Sequence, residues 1–469
     1  MKIPQAGDTV VVDIERIAPE GQGLGRVQGG GAVVFVPYTV PGDKVQALLL
    51  KSSSTFAQGR LTRLLASGPD RLEPACPVHF RADRPSTPFC GGCEWQQLSY
   101  EGQLRNKREM VLDCLRRIAK IPQPPVEPVL ASPLPWGYRN KVQIPFAPAR
   151  EPGGRPSAGF YGPGSRKVVD QDACPVQPEL SVRISSAVKD LAAKLRWPIY
   201  DNETKRGWLR HLFIRTNSSG KALVALITKT PEFRREQEAE FVASLTAAFP
   251  EITSLYHNAQ PDQSNVVVGQ VWRKLWGAKG LEEKIGPYSF AASPGAFLQV
   301  NTGAAEILYA QALKFLKRAE APWDLAVDLY CGVGTLTVWI SKAATKVVGI
   351  EENREAVKDA WENAKRNKVQ NARFIAARAE AGLPKLLGES DRSCAVLVDP
   401  PRAGLGTPVL RALTAHQVRR IVYVSCDPAT FSRDAGYLLK SGFQLKTVQP
   451  VDLFPQTSHV ELAALLDRP

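Results

Sequence analysis

AVDLYCGVGTLT, residues 326–337, reads as a buried strand that passes through a glycine turn into the start of a helix. Further apolar runs at residues 346–350, 395–398 and 421–424 alternate with stretches of helical character. Strands that alternate with helices favour a parallel sheet covered by helices on both faces. The sequence therefore predicts a doubly wound, Rossmann-like α/β domain, which we place at residues 289–469.

The glycine turn and the acid that follows it indicate a nucleoside ligand. Gly332 and Gly334 allow the backbone to approach a ligand closely. Glu351 ends the next strand nineteen residues after Gly332, a distance that suits a carboxylate bonded to ribose hydroxyls. Thr337 replaces the third glycine of a dinucleotide fingerprint, and no Walker lysine follows the turn. S-adenosylmethionine, a nucleoside without a pyrophosphate, fits this pattern best.

A second strand ends in VDPPRAG, residues 398–404, where Asp399 precedes two prolines that make a rigid loop. Methyltransferases that act on exocyclic amines often have an aromatic residue after such a proline pair. Arg402 occupies that position here, which disfavours amine methylation.

Cys426 directly follows the strand at residues 421–425 and is soon followed by Pro428, so it should stand at the carboxyl end of that strand. Ligands of open α/β sheets bind at this edge. A thiol there favours covalent chemistry on a bound substrate. The alternative interpretation is a small buried hydrophobe, which is the usual role of a free cysteine.

The chain has 469 residues and a net charge of +14, with a pI near 9.4. This excess predicts a polyanionic partner, with RNA or DNA ahead of an anionic membrane surface. No apolar run is long enough to span a bilayer, and the first residues lack the apolar core of a signal peptide. We therefore expect a cytoplasmic protein with reduced thiols.

Residues 1–66 alternate short β-rich runs with glycine turns, one of them at residues 29–31. They predict a small OB-like barrel, a fold that often binds oligonucleotides, although a barrel used only as a spacer is the alternative. Residues 67–288 should form a central α+β domain. It begins with a loop rich in proline and cysteine and continues with a helix near residues 100–120, for which packing against the C-terminal domain is an expectation.

Four cysteines form a second constellation, and four soft thiolates suit either zinc or an iron–sulfur cluster. Spacing alone does not separate these two, and unrelated thiols are a third interpretation. The four are Cys76, Cys90, Cys93 and Cys174. Three further cysteines are expected to pack in the core: Cys114, Cys331 and Cys394.

Four motifs together resemble the RNA uracil-5 methyltransferases, most closely the branch that makes 5-methyluridine in 23S ribosomal RNA. They are DLYCGVGT at 328–335, VDPPRAG at 398–404, SCDPATFSRD at 425–434 and SHVE at 458–461. The resemblance covers nearly the whole chain and implies a TRAM-type barrel, a four-cysteine iron–sulfur loop and a methyltransferase domain that uses S-adenosylmethionine. The expected partner is RNA, with 23S ribosomal RNA ahead of tRNA, and the expected state is a monomer without membrane association.

The resemblance also implies a role for individual residues. Cys426 would add to carbon 6 of uracil, and a modest lowering of its pKa would supply the thiolate. Glu461 would act as the general base that removes the proton of carbon 5. The cofactor pocket would contain Gln299, Tyr330, Thr335, Glu351 and Asp399. A 4Fe–4S cluster would be held by Cys76, Cys90, Cys93 and Cys174.

The chain departs from the family pattern in three places. Asp427 stands where asparagine is usual, and thirteen residues separate Cys76 from Cys90 where five are usual. Arg378 occupies a position that often holds a small polar or acidic contact to adenine, so we leave it out of the predicted site.

Two alternative functions remain open at this point: a non-catalytic RNA-binding assembly factor, and an iron–sulfur or zinc protein with a vestigial methyltransferase domain. Arg139 and Lys141 are expected either to contact RNA phosphates or to form a solvated turn.

Overall fold

The computed structural model describes residues 5–28, 32–149, 151, 153–262, 266–318, 321–388 and 394–469. The glycine turn predicted at residues 29–31 therefore lies outside the described residues. Within the described ranges, no helix combines the length and the apolar character needed to cross a bilayer.

Alternating apolar side chains close the first strands into a barrel. The strands are β1 (Thr9–Ile17), β2 (Gly23–Val27), β3 (Val33–Val36), β4 (Lys44–Ser52) and β5 (Phe56–Ala66). Their order around the barrel is β1-β2-β3-β5-β4, and Val12, Ile14 and Val34 point into its core. The predicted N-terminal barrel is confirmed.

A mixed sheet with its helices forms the middle of the chain. The elements are α1 (Tyr100–Arg117), β6 (Lys141–Ala147), β7 (Ser157–Tyr161), β8 (Val168–Asp170), α2 (Glu179–Lys194), β9 (Leu209–Thr216), β10 (Ala222–Thr228), α3 (Arg235–Ala248), β11 (Ile252–Ala259) and β12 (Val271–Gly277). The strand order is β12-β11-β10-β9-β6-β7-β8, with β10 and β11 parallel and the other pairs antiparallel.

Helix α1 belongs by its packing to the C-terminal part of the molecule. Ser99 caps its first turn by accepting a hydrogen bond from the Gly102 amide at 3.1 Å. Val111 and Leu115 pack into the core beneath the C-terminal sheet. The helix ends earlier than predicted because Lys120 has a φ of +60°, which a right-handed helix does not accommodate.

The C-terminal part contains the predicted strand–helix alternation. Its elements are β13 (Leu281–Ile285), β14 (Tyr288–Ala292), α4 (Thr302–Leu316), β15 (Trp323–Leu329), α5 (Thr335–Ile340), β16 (Ala344–Glu351), α6 (Arg354–Arg366), β17 (Ala372–Ala376), α7 (Ala379–Gly388), β18 (Cys394–Val398), α8 (Thr407–Ala415), β19 (Val418–Ser425), α9 (Pro428–Lys440), β20 (Gln444–Val451) and β21 (Glu461–Asp467). Strands β13 and β14 form a separate hairpin, and the large sheet has the order β17-β16-β15-β18-β19-β21-β20.

Both faces of the large sheet are covered, because successive residues of its strands pack into opposite cores. Ala326 lies in the core that helices α4, α5 and α6 cover, whereas Val327 lies in the core that α7, α8 and α9 cover. This confirms the Rossmann-like fold. Strand β21 runs antiparallel to both of its neighbours, β19 and β20, a direction that an apolar run by itself does not specify.

The hairpin of β13 and β14 packs with the C-terminal part, where Ile285, Tyr288 and Phe290 enter the core. The predicted boundary between residues 288 and 289 falls inside this hairpin.

Candidate active site

Four parallel strands, β15, β16, β18 and β19, end at the same edge of the sheet, and a cavity of about 1460 Å³ opens there. All of the predicted catalytic and cofactor residues except Thr335 line it: Gln299, Tyr330, Glu351, Asp399, Cys426 and Glu461. Thr335 is the first residue of α5 and is largely buried, and its side chain hydrogen-bonds to Tyr309.

The glycine turn after β15 holds Glu351 in place at the cavity. The Gly332 amide donates to Glu351 Oε2 at 3.1 Å, and the Asn353 amide donates to Oε1 at 2.8 Å. Tyr330 and Gly332 both have positive φ values, of 64° and 53°, which turn the chain sharply at the end of the strand. The carboxylate is therefore oriented by backbone donors while it still lines the cavity.

Asp328 supports this turn from below. Its Oδ2 accepts a hydrogen bond from the Thr337 hydroxyl at 2.6 Å, whereas the buried Oδ1 has no partner among the described residues. Burial raises the pKa of Asp328 to about 7.

Cys426 lies between the end of β19 and the start of α9, as predicted from Pro428. Asp427 caps α9, since its Oδ1 accepts hydrogen bonds from the Ala429 and Thr430 amides, each at 2.9 Å. Burial, followed by the negative charges of Glu461 and Asp399, raises the pKa of the Cys426 thiol to about 11. The expected lowering of this pKa is therefore wrong for the ligand-free chain.

The carboxyl groups of Glu461 and Asp399, which also line the cavity, resist ionisation. Glu461 begins β21 and is buried, and its pKa is raised well above the usual range by burial and then by Asp399. Burial raises the pKa of Asp399 to about 6. Arg402 opposes these effects, because its positive charge lowers the pKa values of both Glu461 and Cys426. Arg402 is thus the cation that favours loss of the protons of Cys426 and Glu461.

The segment of residues 452–459, just before Glu461, is held by helix α1 and by the loop that follows Cys93. Lys107 Nζ contacts Asp452 Oδ1 at 2.5 Å, and both side chains are fully buried. Gln103 Nε2 donates to Gln456 Oε1 at 3.0 Å, and the Gln456 amide donates to Gln103 Oε1 at 2.8 Å.

Two further bonds tie the same segment to residues close to the cysteines. The Trp95 amide donates to the Gln456 carbonyl at 3.1 Å, and the Tyr138 hydroxyl donates to the Pro455 carbonyl at 2.9 Å. The position of Glu461 therefore depends on contacts with residues more than 300 positions earlier in the chain.

A second, smaller cavity of about 110 Å³ is lined by the predicted ligand set, Cys76, Cys90, Cys93 and Cys174. Burial, together with the neighbouring thiols, raises the pKa of Cys90 to about 11 and that of Cys93 to about 12. The Gly92 amide donates to Cys90 Sγ at 3.3 Å, which is the kind of donor that stabilises a thiolate ligand.

No group of three or more His, Cys, Asp or Glu side chains within the described ranges is arranged to hold a single metal ion. A zinc ion draws its sulfurs to about 2.3 Å from one point. An iron–sulfur cluster instead spreads its thiolates over several irons. The four thiols share one cavity, and an all-sulfur donor set is the kind that iron–sulfur clusters use.

The extra residues between Cys76 and Cys90 attach this loop to the barrel. Phe80 is buried in the barrel core and stacks on Tyr38 with ring centroids 4.9 Å apart. Phe89 contacts Tyr38 edge-on at 5.2 Å. The insertion thus joins the cysteine cavity to the N-terminal barrel.

The two basic residues of YRNK separate in space. Arg139 lines the cysteine cavity, whereas Lys141 Nζ lies 5.5 Å from the centre of the Phe297 ring. Phe297, 60% exposed, lines the large cavity. Burial, followed by the charge of Arg215, lowers the pKa of Lys141 to about 8.

The sequence analysis missed several lining residues: Phe297, Phe454, His459 and Arg378. Phe297 is two residues before Gln299, and Phe454 and His459 are seven and two residues before Glu461. Closeness in sequence to predicted residues was therefore a usable signal for these three. Arg378 had been left out because of its residue type, and the structure places it at the cavity.

Sequence models of two known families match the chain. A model described as tRNA (Uracil-5-)-methyltransferase matches residues 282–469, and one described as the TRAM domain matches residues 5–62.

Relatives match over nearly the full length. A protein of Halalkalibacterium halodurans named as an uncharacterized RNA methyltransferase is 36% identical over 461 residues, which are 98% of this chain and 97% of the relative. A protein of Gloeobacter violaceus with the same description is 38% identical over 464 residues, 98% of this chain and 97% of the relative.

Among solved structures, the tRNA (uracil-54, C5)-methyltransferase of Pyrococcus abyssi in complex with S-adenosyl-L-homocysteine superposes with a TM-score of 0.75. It is 25% identical, and the match covers 97% of this chain and 99% of that protein.

Proposed function

This chain belongs to the RNA uracil-5 methyltransferase family and uses S-adenosylmethionine, and we propose that it methylates carbon 5 of a uridine through a transient bond between Cys426 and the uracil ring. One observation supports this most strongly. Cys426, Glu461 and the residues expected to hold the cofactor line a single cavity at the carboxyl edge of the sheet. A thiol, a carboxyl group and a nucleoside site are the components that this reaction needs.

S-adenosylmethionine supplies an electrophilic methyl group when it is bound. The residues placed to hold it are Gln299, Tyr330, Glu351 and Asp399. Glu351 is the strongest of these assignments, because its carboxylate is already oriented by two backbone amides and can accept hydrogen bonds from ribose hydroxyls. The Pyrococcus abyssi relative, which matches nearly the whole chain, carries S-adenosyl-L-homocysteine.

Carbon 5 of uracil is a weak nucleophile, and addition of Cys426 to the ring activates it. Its thiolate adds to carbon 6, a sulfur–carbon bond forms, and the electron pair of the 5,6 double bond moves into an enolate. Carbon 5 would then form a bond to the sulfonium methyl group while the bond from that methyl group to sulfur breaks, which would leave S-adenosyl-L-homocysteine. Glu461 removes the remaining proton from carbon 5, the electron pair re-forms the double bond, and the sulfur leaves as thiolate.

The raised pKa values mean that the Cys426 thiol and the Glu461 carboxyl group hold their protons more firmly than they would in water. Both the Cys426 thiol and the Glu461 carboxyl must lose a proton before they can play these roles. Arg402 is the cation that favours this loss, since it lowers both pKa values. We assign Arg402 to charge balance within the site.

The proposed substrate is 23S ribosomal RNA, because the four sequence motifs most closely resemble the enzymes that act on it. A tRNA substrate is the second candidate. It is favoured by the match to the Pyrococcus abyssi tRNA enzyme over 97% of this chain. In either RNA the target base must leave its stack to reach the cavity, at a cost of a few kcal/mol. Mapping 5-methyluridine in both RNAs, from cells with and without this gene product, separates the candidates.

We also assign a 4Fe–4S cluster to Cys76, Cys90, Cys93 and Cys174, because all four thiols share one cavity. We further propose that the enzyme is a cytoplasmic monomer.

The mechanism is tested with 23S and tRNA transcripts that contain 5-fluorouridine. Because fluorine at carbon 5 cannot leave as a proton would, we expect a covalent protein–RNA complex in the presence of S-adenosylmethionine. Cys426→Ala should form none. With ordinary RNA, Glu461→Gln should accumulate the same complex, because the proton of carbon 5 is no longer removed.

Absence of any complex with the intact protein and both transcripts would contradict the adduct. Methylation that survives Cys426→Ala would point to a different mechanism. Absence of methylation in every RNA, with RNA binding intact, would favour the non-catalytic assembly factor.

A further inference from the structure

The cavity at the sheet edge is larger than one nucleoside requires. Ligand pockets commonly occupy about 300–1,000 Å³, whereas this cavity has about 1460 Å³. Beyond Cys426 it is lined by side chains of helix α9 and by the turn after helix α1. The cavity therefore extends over a surface that the predicted cofactor residues do not form.

We propose that this extension binds the RNA strand adjacent to the target uridine. We call it the α9 groove and define it by Ile118, Lys120, Arg402, Arg433, Tyr437 and Lys440. The inference rests on the proposed function, because a uridine held at Cys426 remains connected to its neighbours, and the strand must leave the cavity along some surface.

The α9 groove carries positive charge that is not balanced by acidic partners in the described part of the chain. Lys120 and Lys440 are exposed, and the side chain of neither forms an ion pair or hydrogen bond with any other described residue. Arg402 is exposed as well, and its closest polar partner is His459 Nε2 at 3.5 Å. Unpaired cations beside a cavity are suited to phosphate oxygens.

Asp434, the acid of helix α9 that lines the cavity, is already satisfied within the protein. Asp434 is fully buried, accepts hydrogen bonds from the Leu405 amide at 2.8 Å and the Tyr423 hydroxyl at 2.7 Å, and pairs with Arg433 at 2.8 Å. Glu380, on the cofactor side, lies 3.6 Å from Arg378. The charge presented by the α9 groove is therefore positive.

The second argument is the arrangement along the helix. Arg433, Tyr437 and Lys440 follow one another at intervals of four and three residues, which places them on one face of α9. The helix has 13 residues and so is about 20 Å long. Cys426 immediately precedes Asp427, the cap of this helix, and Lys440 is its last residue. The α9 groove is therefore long enough to contact several consecutive phosphates of one strand.

Tyr437 places an exposed aromatic ring next to the unpaired Lys440 in the α9 groove. Tyr437 is 37% exposed although it is a large side chain next to a cavity. Single-stranded nucleic acids are bound by aromatic side chains that stack on bases between cations that contact the backbone. Tyr437 and the unpaired Lys440, three residues apart on one face of α9, have this composition.

The test measures binding of a fluorescent twenty-nucleotide oligouridylate to the full-length holoprotein at a series of KCl concentrations. Each phosphate contact with a single strand contributes about 0.7 to the slope of log K against log salt. We expect Lys120→Ala with Lys440→Ala to reduce that slope by about 1.4 and to weaken binding. Tyr437→Ala should weaken binding about fivefold or more and leave the slope unchanged.

The matched control is Lys314→Ala with Lys446→Ala, which removes the same charge from two exposed lysines that do not line the cavity. It should bind like the wild type. Thermal unfolding and calorimetric titration with S-adenosylmethionine establish that each variant is folded. If the alanine pair unfolds, the Lys120→Gln and Lys440→Gln pair carries the same expectation and retains the apolar stems.

An unchanged slope and affinity in the groove variants, or an equal loss in the control, would overturn the inference. Failure of the proposed function has a different signature: no 5-fluorouridine complex forms, yet the groove variants still lose oligouridylate binding. If the complex forms and the groove variants bind normally, the function stands and the α9 groove is not the path of the strand.

Discussion

The reactivity of Cys426 depends strongly on its surroundings. Its pKa of about 11 results first from burial and then from the nearby Glu461 and Asp399 carboxyl groups. Only the thiolate attacks an electrophile, so this environment protects the thiol from adventitious alkylation in the ligand-free protein. The same environment makes the reactivity of Cys426 sensitive to each neighbouring charge.

Replacing those charges should lower the pKa of Cys426 in a defined order. We expect a larger fall for Glu461→Gln than for Asp427→Asn, because Glu461 is the stronger of the two influences. Alkylation by iodoacetamide, followed on the Cys426 peptide by mass spectrometry, should accelerate with pH up to a midpoint near 11 in the wild type. Lower pKa values give more thiolate at a given pH, so both variants should react faster near pH 8.

Asparagine caps helices as well as aspartate does, so Asp427→Asn should leave the free energy of unfolding nearly unchanged. Asp427→Ala loses the cap and should cost about 1 kcal/mol. Alkylation profiles identical to the wild type would show that neither carboxylate acts on the thiol.

At the level of elements, helix α1 and the segment of residues 452–459 are joined by a fully buried ion pair between Lys107 and Asp452. Loss of one partner leaves the other charge uncompensated in the interior. We expect Lys107→Met to lower the free energy of unfolding by about 3–5 kcal/mol, measured by urea denaturation. Methyl transfer should also slow, because the segment leads directly to Glu461.

Lys189 provides the comparison, since its side chain is fully buried but its partners Asp170 and Asp172 are 41% and 57% exposed. Those acids remain hydrated when the lysine is removed, so Lys189→Met should cost less and leave methyl transfer intact. An equal cost for the two variants would refute the assigned importance of the Lys107 pair.

On the scale of the whole molecule, the cysteine loop connects the barrel to the methyltransferase part. Phe80 packs into the barrel, and Trp95 Nε1 donates to the Gly21 carbonyl at 2.9 Å. The Trp95 amide reaches Gln456 on the other side. A cluster bound by the four cysteines would therefore stabilise the junction of all three parts.

Removal of the cluster should loosen this junction selectively. We expect Cys90→Ser to lose iron and sulfide and to speed amide hydrogen exchange at residues 76–97 and 452–461, while the central strands β9 and β10 stay protected. Cys114→Ser, at a buried cysteine outside the quartet, should retain its iron. Full iron content in Cys90→Ser, or exchange that rises equally everywhere, would rule out this connection.

Local pattern was sufficient for the barrel and the Rossmann-like domain, and pattern together with the family resemblance indicated six residues that line the cavity. Asp399 and Cys426 could be placed because each directly follows a strand, and parallel strands end at one common edge. Glycine and proline mark such ends by their backbone geometry, which is a property of the sequence itself.

Local sequence pattern did not identify the long-range ion pair or the direction of the Cys426 pKa shift, because both depend on contacts between distant residues. Lys107 and Asp452 are 345 positions apart, and nothing in either neighbourhood identifies the partner. The pKa of Cys426 was predicted with the wrong sign for the same reason. Its direction depends on how deeply the thiol is buried and on carboxyl groups that other strands bring to it, and both quantities exist only once the chain has folded.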